Sequence, residues 1–158
     1  MKTKGTLVIA SFCLLGAAFA VQANDQTMPK GMFLGTFYEG DKPSTKTDFV
    51  VNAAKAVRLT IGSDKTYKFE QVSTDMVQIE GGKLLIASGT VAEKDGLWIL
   101  TPSKDGQSAL SVLGWSFKKS LTLKVESDKS LSLQGKPNGE TDPPRGGSLR
   151  FVAIKKTP

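Results

Sequence analysis

Three groups of side chains have a spacing that could do chemistry. Ser116 and Lys119 stand three apart, the interval of a serine–lysine nucleophile pair in which the amine takes the hydroxyl proton. That pair needs a helix, where residues three apart share a face. Here the surroundings alternate as a strand or its edge, the two side chains point to opposite faces, and chance spacing is the better account. Met28 and Met32 offer soft thioether sulfurs suited to Cu(I). Two methionines beside Pro29 and Gly31, without a third ligand, make a poor site; Met32 is expected to pack at the start of the first strand and Met28 to belong to a loose N-terminal tail. Glu39 and Asp41, with Asp48 after them, could serve acid–base work or a hard cation. No oxygen-ligand loop pattern surrounds them, so solvation is the simpler role. The chain has no histidine and one cysteine, Cys13. This excludes an imidazole base, a histidine metal site and a disulfide framework, and few nucleophiles have a base beside them. The expectation is a non-enzyme without metal or cofactor.

Aromatic residues form a fourth group. Trp98, Trp115, Tyr67 and Phe69, with Phe117, sit on or near candidate strands. They either line a cavity that stacks an apolar ligand or fill the core of a small domain, core filling being preferred. The first four are the candidate ligand-binding residues.

The elements that must position these residues follow from a period of two. Leu59 and Ile61, Tyr67 and Phe69, Leu121 and Leu123, Leu131 and Leu133, and Leu149 and Phe151 each flank one residue that faces the other way. Between the runs lie Gly62-Ser63-Asp64-Lys65, Lys94-Asp95-Gly96, Lys104-Asp105-Gly106 and Ser127-Asp128-Lys129, whose residue types suit tight hairpins. Strands are expected near 33–39, 56–62, 66–73, 83–92, 97–101, 108–114, 120–126, 130–135 and 149–155. An open sheet of that many strands would leave two edges exposed. A single antiparallel up-and-down β-barrel of about eight strands avoids this. Residues 59–66 echo residues 123–130, which is best explained by two hairpins that share one turn chemistry. Thr47 or Asp48 could cap a short helix through Ala54 after the first strand. The stretch 135–147 has seven Gly or Pro in 13 residues and reads as a loop.

The 158 residues suffice for one domain and a leader. Apolar residues make up 39% and charged residues 23%, which excludes disorder and a multi-span membrane protein. Lys2 and Lys4 precede an apolar run from Leu7 to Phe19, and small residues follow: the parts of a bacterial-type secretory signal peptide. Cleavage after Ala20 or Ala23 fits, and Ala23 is preferred. This divides the chain into a signal peptide at 1–23, a flexible segment at 24–32 and a barrel domain at 33–158. Phe12 and Ala10 stand where a lipobox needs a small and an aliphatic residue, so no stable membrane anchor is expected. Removing the leader lowers the net charge from +6 to +4 and leaves no thiol, which suits a periplasmic or secreted destination. No basic stripe interleaved with aromatics favours nucleic acid.

Read as a whole, 33–155 resembles the N-terminal domain of NlpE-type envelope lipoproteins, a copper-resistance and surface-sensing family. Gly35-Thr36-Phe37-Tyr38-Glu39-Gly40 is similar to that family's opening strand. Leu59-Thr60-Ile61 with Ser63-Asp64-Lys65-Thr66-Tyr67 is similar to its first hairpin. Ser88-Gly89-Thr90 and Gly96-Leu97-Trp98-Ile99-Leu100 are similar to a later strand pair. The resemblance implies a lipocalin-like barrel that binds or senses without catalysis. Where the family has two cysteines this chain has Ser44 and Thr47, which removes the soft-metal and redox site. The expected function is an exported, monomeric, non-catalytic barrel. It would hold a small apolar ligand in a cavity lined by Trp98 and Trp115, or meet an envelope partner through Lys42, Lys46, Asp142 and Arg145. The alternative is a secreted inhibitor or interaction protein that uses the 135–147 loop.

Overall fold

The computed structural model describes residues 27–107, 111–135 and 146–154. Residues 1–26, 108–110, 136–145 (with Asp142 and Arg145) and 155–158 lie outside them. In chain order come β1 (Gly31–Glu39), a two-residue β2 (Lys42–Pro43), α1 (Phe49–Lys55), β3 (Val57–Ile61), β4 (Thr66–Val72), β5 (Lys83–Lys94) and β6 (Leu97–Gln107). A short hairpin of β7 (Ser111–Val112) and β8 (Trp115–Ser116) follows, then β9 (Leu121–Val125), β10 (Leu131–Leu133) and β11 (Ser148–Ala153).

Sequence alternation becomes alternation of burial: Val57, Leu59 and Ile61 are buried in β3 while Arg58 and Thr60 are half-buried between them. Long strands that follow one another pair antiparallel, in the order β11-β10-β9-β6-β5-β4-β3-β1, and β11 returns to β1. The closing register runs from Phe33 opposite Ala153 to Tyr38 opposite Ser148. The fold is thus the expected closed antiparallel barrel of eight strands, with one short helix after the first strand.

The turns show why these hairpins form. Asp64 Oδ1 accepts from the Thr66 amide at 3.2 Å and hydroxyl at 2.7 Å, and Lys65 takes φ 61°. Asp128 Oδ1 accepts from the Ser130 amide at 2.9 Å and hydroxyl at 2.6 Å, and Lys129 takes φ 64°. The aspartate side chain bonds two residues on and holds the lysine in the left-handed region. The echo between 59–66 and 123–130 is therefore one turn used twice. At Asp95-Gly96 both central residues have positive φ, as a two-residue hairpin requires.

Antiparallel order sorts the connections between two ends. The short turns β3–β4, β5–β6 and β9–β10 gather at one end with the start of β1 and the end of β11; we call this end the mouth. The longer connections, which carry α1 and the β7–β8 hairpin, gather at the far end. Asp48, one of the two expected caps, caps α1 by accepting from the Val51 amide at 3.1 Å. Val51 and Ala54 are buried in the core. The helix lies so close to β1 that a Cβ on Gly35 would sit 2.2 Å from the Ala54 carbonyl oxygen.

One strand expectation is corrected in part. Of the strand expected over 108–114, residues 108–110 lie outside the described residues, and Ser111–Val112 pairs with β8 in a separate two-stranded sheet instead of the barrel. Lys104-Asp105-Gly106 does not turn the chain back either. Gly89 pairs with Pro102 and Ala87 with Gln107, so these residues bulge from a strand that continues.

Candidate functional site

The barrel interior is filled where its aromatics meet. The Phe69 ring centroid lies 4.8 Å from that of Phe117, 5.3 Å from Phe151 and 5.6 Å from Tyr67, whose ring stands edge-on. Phe117 comes from the far-end connection and is 1% exposed, so that connection fills the barrel from below. Burial pushes the Tyr67 hydroxyl up to about 12.

Open space remains at the mouth. The segment Thr27–Lys30 borders two pockets, and both Thr27 and Lys30 line each of them. On one side lies a pocket of about 590 Å³ with Val91 from β5, Trp98 from β6 and Met28 in its walls. On the other lies a pocket of about 400 Å³, with Phe33, Val125 and Leu131 giving an apolar wall. Both volumes fall in the range of small-molecule sites. Lys65 lines the first and Lys129 the second, each from the left-handed position of its aspartate turn. The Lys65 carbonyl accepts from the Val91 amide at 2.8 Å, which fixes that turn against β5.

Trp98 is 6% exposed, and its indole Nε1–H is buried without an acceptor. A buried donor left unpaired costs about 1–3 kcal/mol, a cost that an acceptor brought to it would offset. Glu93, beside Trp98 in the cross-strand pairing, uses Oε1 to accept from the Gly96 amide at 2.7 Å.

Of the four candidate ligand residues, the mouth takes in only Trp98. Tyr67 and Phe69 belong to the packed interior, and Trp115 is buried in the β7–β8 hairpin at the far end. Of the two tryptophans, Trp98 alone lines either of these two pockets. The methionines exchange their expected roles: Met28 packs against the core and lines the larger pocket, while Met32 is 43% exposed. The period of two turns Phe33 inward and leaves Met32 outside.

Lys42 and Lys46 lie exposed after β1, at the far end, and Lys46 Nζ pairs with Glu39 Oε1 at 2.8 Å. Asp41 lies 3.6 Å from Arg150, whose guanidinium stacks 4.3 Å above the Tyr38 ring. Glu39, Asp41 and Asp48 thus hold a lysine, an arginine and a helix end. Ser116 Oγ accepts from the Lys118 amide at 3.4 Å. Among the described residues no three histidine, cysteine, aspartate or glutamate side chains gather to hold a metal ion.

Sequence reasoning missed Lys30, Lys65, Lys129 and Val91. The repeated Ser-Asp-Lys turn was the available signal for two of them. The chain matches no protein-family model and no curated protein sequence.

Proposed function

We propose that this protein is an exported, non-catalytic binding barrel that holds a small, largely apolar ligand at its mouth. The observation that carries the reading is the pair of pockets above a filled interior, with Val91 and Trp98 among the walls of one and Phe33 and Leu131 among those of the other. The filled interior argues against a carrier that swallows its ligand whole, and favours one that holds it at the rim. Export is supported by the lysines and apolar run of the first 20 residues. A holding or sensing role in the envelope agrees with the likeness to NlpE-type domains, without their thiol chemistry.

Titration with the neutral dye Nile red tests this reading. Saturable dye binding that changes Trp98 emission in a Trp115→Phe variant is expected, and Trp98→Phe should weaken it severalfold. Native mass spectrometry of protein purified from the envelope should show a retained small molecule. Absence of both retained mass and saturable dye binding would overturn the proposal.

A further inference from the structure

The two mouth pockets differ in their apolar walls but repeat one polar feature. Each contains the lysine of an aspartate turn, Lys65 in one and Lys129 in the other, and each shares Lys30. The aspartates of those turns do not line the pockets. Asp64 is engaged by Thr66, and Asp128 by Ser130 and by the Tyr38 hydroxyl at 3.2 Å. Both carboxyls are held below the ordinary aspartate range, first by the hydroxyl hydrogen bond from the residue two further on. The turn thus directs its negative charge into its own backbone and leaves its positive charge beside the pocket. Glu93 is the one carboxylate among the described lining residues. The mouth therefore joins apolar walls to three ammonium groups.

We infer that the ligand is an amphiphile with an anionic head: in one pocket its apolar chain lies against Val91 and Trp98 with its head at Lys30 and Lys65, and in the other against Phe33 and Leu131 with its head at Lys30 and Lys129. This rests on the reading of the mouth as a binding site and adds the chemical class of the occupant. A cationic amphiphile would meet like charge from these lysines, and a neutral one would gain no charge-assisted bond from them. An acidic head gains charge-assisted hydrogen bonds from them.

Calorimetric titration of the mature protein with dodecanoate, dodecyl phosphate, dodecanol and inorganic phosphate tests the inference. Lys65→Asn and Lys129→Asn are the informative variants, because asparagine tolerates the left-handed turn position and removes the charge. The two acidic amphiphiles are expected to bind at least about tenfold more tightly than dodecanol, a difference of about 1.4 kcal/mol. The double variant should lose most of that preference for the acids over dodecanol. A tighter dodecyl phosphate identifies a phosphate-ester head, and a tighter dodecanoate a carboxylate; either supports the inference. Equal affinity for dodecanol and the acids overturns it while the mouth remains a binding site. Binding of inorganic phosphate as tight as that of dodecyl phosphate also overturns it, since the chain would then contribute nothing. Failure of every chain compound to bind removes the binding-site reading itself.

Discussion

A phenol among aromatic rings loses its proton reluctantly, and Tyr67 shows the consequence. Its folded value of about 12 stands above the ordinary 10 because a phenolate at that position would lose its water. The folded protein therefore holds this proton more tightly than the unfolded chain. Its contribution to stability is complete below pH 10 and is lost as pH rises through 12, roughly 2–3 kcal/mol in all. Tyr38 is raised too, by burial and then by the charge of Asp128, so two residues contribute to alkaline unfolding. Tyr67→Phe is expected to flatten the decline of the urea midpoint between neutral pH and about pH 11. An unchanged decline would mean that the hydroxyl stays hydrated in the fold. At this scale the sequence was readable for residue type and face and silent about position along the barrel. Trp98 and Trp115 both read as inward aromatics, yet the end each occupies depends on which turns share an end.

Elements were more legible where their chemistry is local. The aspartate turns at 62–66 and 126–130 carry their own hydrogen-bond partners within five residues, so sequence alone identifies them. The segment Lys104-Asp105-Gly106 has the same sequence as the Lys94-Asp95-Gly96 turn and a different outcome. Whether it turns or bulges is decided by β5, which pairs again at Gln107. The docking of α1 is equally non-local. A glycine in a strand is ordinarily unfavourable, and nothing near Gly35 in the chain reveals that Ala54 approaches its Cα. Gly35→Ala forces backbone against backbone and should displace α1 at a cost of about 1–3 kcal/mol or more. Denaturant unfolding measures the cost, and amide exchange in 49–55 should rise more than in β9. Wild-type stability and exchange in this variant would show that the helix is not held against β1.

For the whole molecule, closure joins the first long strand to the last, so the fold depends on contacts between residues more than a hundred positions apart. Such contacts reward the chain only after most of it has been ordered, which makes folding slow and cooperative. Phe151 sits at this seam, opposite Gly35 on one side and Leu131 on the other, and its ring meets Phe69 in the interior. Its fully buried side chain connects closure and core packing, two things that could in principle come apart. Phe151→Ala is expected to destabilise the protein by about 3–5 kcal/mol. If closure and packing form one cooperative unit, tryptophan fluorescence and far-ultraviolet circular dichroism will report the same transition in the variant as in the wild type. Separate transitions would mean that the meander survives opening of the β1–β11 seam. The mouth would then be a feature of a sheet that can open, because Phe33 of the smaller pocket belongs to that seam.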